Sequence, residues 1–157
     1  MNPAYIISAR SIAELRGGAL STVPEQGGVY FVFRKRLASP RFLTTSPAGH
    51  YRGIDPTIAV TELLERWVVA AHVLYIGQAS GGSHRSSLRA RIRCYLRHGG
   101  GARAGHSGGR AIWQLSDSDS LLIGWETAEG DAAVAESAYI HDFVATYGRL
   151  PFANRRL

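Results

Sequence analysis

Cysteine occurs once in the 157 residues, at Cys94, and lysine once, at Lys35. A single cysteine excludes an internal disulfide and any multi-cysteine zinc site. No hydrophobic run is long enough to span a bilayer. The first eight residues lack the basic start and long apolar centre of a secretory signal. These absences lead to the expectation of a cytoplasmic protein with no membrane partner. Acidic residues are missing from one long stretch. From Arg66 to Ser116 there are eight arginines and no Asp or Glu. The rest of the chain carries ten basic and twelve acidic groups, so the whole excess behind the net charge of +6 lies in that stretch. The preference for arginine over lysine carries little, since a GC-rich coding bias produces it as readily as a need for phosphate-binding forks. The placement carries more. A charge run is most often a solvated face. The alternative is a surface for a polyanion, above all nucleic acid.

What is present centres on residues 73–98. The run Val73-Leu-Tyr-Ile-Gly77 is short, apolar, β-branched and aromatic, and predicts a buried strand ended by its glycine. After a Ser/Gly-rich turn, Leu88, Ile92, Tyr95 and Leu96 fall at helical spacing, and Gly99 closes the helix. Arg89, Arg93 and Arg97 run four apart on another face, where water solvates them. Arg91 falls three after Leu88 and four before Tyr95, on the apolar stripe. An unpaired buried guanidinium is costly, so Arg91 needs a partner, either a carboxylate or a bound anion. This inward arginine favours the polyanion reading of the basic stretch.

The remaining chain fits one α/β (α+β) domain over residues 1–157, with an insertion at about 34–72. Ser11 and Glu14 have capping-box spacing for a short helix over 8–16. Residues 29–33, Val-Tyr-Phe-Val-Phe, predict a strand broken by Arg34-Lys-Arg36. A loop follows to Asp55-Pro56, which suits a helix start. An amphipathic helix is then expected through Val60, Leu63, Leu64, Trp67 and Val68 to Ala71. Residues 110–115 read as a short apolar helical element and 121–126 as a third strand. Asp131 caps a last helix whose stripe is Ala133, Glu136, Ile140, Phe143, Val144 and Tyr147, ended by Gly148. Glu136 thus places a second charge on a core-facing stripe, opposite in sign to Arg91. The insertion separates two strands that each carry a tyrosine, so its loop, with Arg34, Lys35, Arg36, Arg41 and Arg52, is expected beside the substrate as a specificity or assembly element.

Read together, these residues resemble the GIY-YIG endonuclease superfamily over about residues 22–156. The first signature is Gly28-Val29-Tyr30 and the second is Tyr75-Ile76-Gly77. Leu88-Arg-Ala-Arg91 matches the family's leucine-to-arginine spacing, Glu136 its late glutamate, and Asn154 its terminal asparagine. The resemblance implies a central three-stranded antiparallel sheet flanked by helices, and metal-dependent hydrolysis of DNA phosphodiesters with Mg²⁺ or Mn²⁺. It implies Tyr30 as general base, Tyr75 as a hydrogen-bonding partner of the water or phosphate, Arg91 on the phosphate oxygens, Glu136 on the metal and Asn154 as an orienting amide. Gly28 and Gly77 are its structural glycines. Nucleic-acid contacts are expected from Arg85, Arg89, Arg93, Arg97, His98, Arg103, His106 and Arg110. DNA, or RNA, is the expected partner, and cutting both strands with one small site suggests a homodimer or sequential nicking. Two other readings share the scaffold: a nucleic-acid-binding module without catalysis, and a small-molecule enzyme that reuses the pocket.

Overall fold

A computed structural model describes residues 8–104 and 108–156. Four strands, β1 (Arg10–Ser11), β2 (Gly28–Phe33), β3 (Val73–Ala79) and β4 (Leu122–Thr127), form an antiparallel sheet in the order β1-β4-β2-β3. Three stand where the apolar runs place them. The three-stranded expectation is corrected by β1, which pairs Arg10 with Ile123 and Ser11 with Leu122. Two residues show no alternation for a sequence window to register.

Every residue of β2 is buried, which is why its sequence is continuously apolar rather than alternating. Tyr30 and Val32 enter one core cluster, and Val29, Phe31 and Phe33 enter the other. The β2–β3 ladder pairs Tyr30 with Gly77 and Val32 with Tyr75, then slips so that Phe33 meets Val73 and Leu74 is the extra residue. Leu74 and Tyr75 consequently both join the Tyr30 cluster, while Val73 and Ile76 join the opposite one. A bulge turns side chains in this way. The two signature strands are therefore direct neighbours, despite the long segment between them.

Four α-helices cover the sheet: α1 (Ile12–Arg16), α2 (Val60–Arg66), α3 (Leu88–Gly99) and α4 (Ala132–Tyr147). The capping box of α1 forms as its spacing predicts, with Glu14 N donating to Ser11 Oγ and Ser11 N to Glu14 Oε2. α3 starts at Ser87, whose Oγ accepts from Ala90 N at 3.2 Å. Its next amides donate to the loop before β2, Leu88 N to Gln26 O at 2.8 Å and Arg89 N to Pro24 O at 3.1 Å. That fixes α3 against the start of β2. On α4, Asp131 caps by accepting from Ala133 N, and Gly148 ends the helix at φ 72°. The stripe of α4 lies one residue off the predicted one at its start: Ala132 is buried and Ala133 is exposed.

The middle segment departs most from expectation. α2 ends at Arg66 instead of Ala71, because Trp67 is extended and Ala70 takes a φ of 64°. Val68 and Ala71 are buried in the cluster under α4 without being helical. Asp55 does not cap the helix; it accepts from Thr57 N in a local turn. Residues 41–58 are drawn into the core by Gln114, which is fully buried. Its Oε1 accepts from Ile58 N at 2.7 Å, and its Nε2 donates to Ile58 O at 2.9 Å and Leu43 O at 3.1 Å. Arg34 is buried too, with Nε on Asp117 Oδ2 at 2.9 Å, Nη1 on the Ala38 carbonyl, and its guanidinium over Trp67. The basic residue that breaks β2 is thus a brace for the following loop, not a free cation.

Candidate functional site

A cavity of about 590 Å³ opens at the outer edge of β3, where material from both sheet faces meets. Tyr75 and Gln78 come from β3 itself, Arg91 from α3, Glu136 and Ile140 from α4, Gly108 from the loop after α3, and Ala153 to Arg156 from the C-terminal tail. An edge strand leaves main-chain groups unpaired on one side. Here the tail takes them: Ala153 N donates to Leu74 O at 2.8 Å, and the Asn154 amide bonds both main-chain groups of Ile76.

Of the five residues given a catalytic role, Tyr75, Arg91, Glu136 and Asn154 line the cavity. Tyr30 stands behind them with no exposed surface. Its ring packs edge-on to Tyr75 at 5.9 Å, and a hydrogen bond between the two phenols acts on the pKa of each. Burial pushes the Tyr30 phenol well above its ordinary range. Tyr75 is raised as well, by burial first; Glu136 adds to the rise, while the Tyr30 hydrogen bond and Arg91 oppose it. Of the two phenols, Tyr75 lines the cavity and Tyr30 stands behind it. Tyr95 completes the ring cluster. It is stacked on Tyr75 at 6.0 Å and donates from its hydroxyl to Gly109 O at 3.0 Å.

The glycines have steric reasons that end-of-strand logic did not supply. Gly77 lies within β3 rather than ending it, and a Cβ there would stand 2.7 Å from Tyr30 Cζ and 2.9 Å from Tyr75 Cε1. A Cβ at Gly108 would stand 2.5 Å from the Tyr75 hydroxyl. Gly28, at the start of β2, is packed against the Glu126 main chain and Leu88.

Arg91 is exposed rather than core-facing, and it borders the apolar stripe of α3 where that stripe opens into the cavity. Glu136 is half-buried. Burial raises its carboxyl above the usual 4.5, with Arg91 and Arg156 pulling the other way. Among the described residues, the guanidinium groups of Arg91, Arg155 and Arg156 form no hydrogen bond and no ion pair within 4.0 Å; all three line the cavity with Glu136, and Arg91 and Arg156 act on its carboxyl.

The predicted nucleic-acid contacts divide. Arg85, Arg93, Arg97 and Arg103 are exposed. Arg89 is not a free solvated cation: Nη1 reaches Glu25, Nε donates to Val23 O at 2.8 Å and Nη2 to Ser21 O at 3.0 Å. His98 is 3% exposed and takes no contact from outside. Burial lowers its pKa; Arg110 adds to the effect, and the Ala104 main chain partly opposes it. Arg110 is half-buried, and its pKa is lowered by burial and then by Arg155 and Arg66. His106 lies outside the described residues, as do its neighbours Gly105 and Ser107. Residues 34–72 contribute nothing to the cavity lining, which corrects the expectation that they emerge beside it. Gln78, Arg155 and Arg156 line it unforeseen. The signal for the arginines was their place immediately after the Pro151-Phe-Ala-Asn154 tail; nothing marked Gln78 beyond following Gly77. Compared with family models, with curated proteins and with solved structures, the chain matches none.

Proposed function

We propose that the cavity at the β3 edge hydrolyses phosphodiester bonds of nucleic acid, DNA in the first instance, in the manner implied by the resemblance to GIY-YIG endonucleases. The observation that carries this reading is the set of three guanidinium groups without protein partners around a single half-buried carboxylate and a phenol. Guanidinium forks match phosphate oxygens, and the cavity offers more positive charge than Glu136 neutralises.

A divalent cation, Mg²⁺ or Mn²⁺, fits the donor set. Gln78 Oε1 is buried without a hydrogen-bond partner in a residue that lines the same cavity as Glu136. These two oxygens would hold the ion, leaving most of its coordination to water and phosphate, as a hard cation of this kind accepts. Asn154 is not available as a ligand, because both ends of its amide are engaged by Ile76. When bound, the cation neutralises charge at phosphorus and on the leaving oxygen.

The protein groups divide the remaining work. Arg91 binds the non-bridging oxygens of the phosphate. Tyr75 acts as the base only after its own hydrogen has left to solvent; the phenolate oxygen, on a residue that lines the cavity, then takes the proton released by the attacking water. Ionisation of Tyr75 is opposed by burial, and the hydrogen bond with Tyr30 and the charge of Arg91 offset part of that opposition. Water oxygen bonds to phosphorus as the phosphorus–oxygen ester bond breaks, and the leaving alkoxide takes a proton from solvent. The test is plasmid cleavage with Mg²⁺ or Mn²⁺, an EDTA control, and Glu136→Gln beside the wild type. Metal-dependent cleavage lost in the variant supports the reading; equal cleavage by both, or by neither, ends it.

A further inference from the structure

Hydrolysis of one phosphodiester needs one guanidinium at the scissile phosphate, and Arg91 meets that need. The cavity lining contains two more, Arg155 and Arg156, on consecutive residues of the C-terminal tail. Neither pairs with a carboxylate within 4.0 Å among the described residues. Arg156 is near enough to Glu136 to lower its pKa, and Arg155 near enough to Arg110 to lower that guanidinium's affinity for its proton. Positive charge is therefore accumulated in excess of the one carboxylate, Glu136, that lines the same cavity.

The tail backbone is fixed in advance. Phe152 is 1% exposed and packs on Phe42 at 5.6 Å and Trp67 at 5.2 Å. Ala153 and Asn154 then bond to Leu74 and Ile76 of β3. The two arginines follow directly on this anchor, so a ligand that binds them orders side chains but little main chain, which lowers the entropic cost of binding.

From this placement we infer that Arg155 and Arg156 form a second phosphate subsite, which holds a phosphodiester next to the one cleaved. The inference rests on the proposed hydrolysis and narrows its substrate class. The substrate is a polynucleotide strand with at least one charged linkage beside the scissile one, not a mononucleotide diester or another isolated phosphodiester.

The experiment uses the full chain and an oligonucleotide whose cut linkage has been mapped with the wild type. Single neutral methylphosphonates replace the linkage on either side of the cut. Bis(p-nitrophenyl) phosphate serves as a diester with no neighbour. The wild type is expected to lose about tenfold or more in kcat/KM with one of the two neutral linkages, the scale of a charge-assisted contact. Arg155→Ala/Arg156→Ala should show a similar loss on the native strand, no further loss with the neutral linkage, and a smaller loss on bis(p-nitrophenyl) phosphate than on the strand. Arg10→Ala, which removes a charge from the opposite sheet edge, should match the wild type throughout. Additive losses from the neutral linkage and the double variant overturn the subsite, as does an equal loss on the isolated diester. If the wild type cleaves neither substrate, the hydrolysis reading fails separately. Fluorescence anisotropy with the same single strand then decides the subsite. The logarithmic salt slope should fall by about 1.4 in the double variant, about 0.7 per lost contact. An unchanged slope overturns the inference. Both side chains are exposed, so thermal melting of the double variant should overlay the wild type.

Discussion

Asn154 grips Ile76 with both ends of its amide: Nδ2 donates to Ile76 O at 2.9 Å, and Oδ1 accepts from Ile76 N at 3.0 Å. This pair joins the tail to the middle of β3, between Tyr75 and Gly77. Asn154→Asp keeps the acceptor and replaces the donor with an oxygen facing a carbonyl. It should lower stability by about 1–3 kcal/mol at neutral pH. The deficit relative to wild type should shrink towards pH 4, where the carboxyl protonates and donates again. Urea midpoints at several pH values check this; a deficit independent of pH would mean that the amide is not the clamp.

Glu136→Gln should eliminate cleavage and leave strand binding intact, since shape is kept and the charge that the cation needs is lost. Stability supplies a second reading. The wild-type carboxyl has a folded pKa above its unfolded value of 4.5, with burial the largest cause. Its contribution is present below pH 4.5 and lost as pH rises through the folded pKa. The melting temperature of Glu136→Gln should accordingly gain on that of wild type as pH rises from 4 to 7. A constant difference would contradict the burial assigned to Glu136.

His98 is the reverse case. Its folded pKa lies below 6.5 because of burial, so the native state resists the proton that the unfolded chain accepts. Stability is full above pH 6.5 and is lost as pH falls below it towards the folded pKa. Neither ring nitrogen has a hydrogen-bond partner, so His98→Leu should fold and should flatten the dependence between pH 7.5 and 5. Identical slopes in the two proteins would refute this.

Gln114→Leu keeps the volume but leaves Ile58 N, Ile58 O and Leu43 O without their partner. A cost of at least about 2 kcal/mol follows from stranded buried groups. Replacing residues 38–52 by a Gly/Ser linker should also destabilise the protein, because that segment contains the buried Ala48 and Gly49. Chemical denaturation of both variants is the measurement; wild-type midpoints would show that the segment is only draped on the surface.

Tyr75→Phe should lower single-turnover cleavage more than Tyr30→Phe, because only Tyr75 lines the cavity. Tyr30→Phe removes the hydrogen bond that lowers the Tyr75 pKa, and should move any basic limb of the pH profile upward. An equal loss in both variants with unchanged profiles would sink the division of labour between the two phenols.

What the sequence disclosed and what it hid follow from the range of the forces involved. β2, β3, β4, α3 and α4 declare themselves through local periodicity and caps, and the Ser11–Glu14 box is legible from three-residue spacing. Glu136 and Arg91 were visible as charges interrupting apolar stripes. Arg91 turned out exposed because its stripe runs off the core into a cavity, which no single helix can announce. Arg89 looked solvated, yet its partners are Glu25 and two carbonyls more than sixty residues earlier. The helix through Val68 and Ala71 failed because periodicity reports burial, and an extended chain with a left-handed residue can bury the same positions. Gln114, the Leu74 bulge and Gln78 depend on pairings between distant segments, for which local sequence carries no mark.

The tail also protects the protein from itself. β3 is apolar, nearly wholly buried and at the margin of the sheet. Truncation after Leu150 would remove Ala153 and Asn154 and bare the outward main-chain groups of Leu74 and Ile76. Two such shortened molecules would then present each other with matching, unsatisfied strands, the condition for chain-to-chain β pairing and aggregation. A variant that ends at Leu150 should therefore precipitate rather than remain a soluble, merely inactive protein.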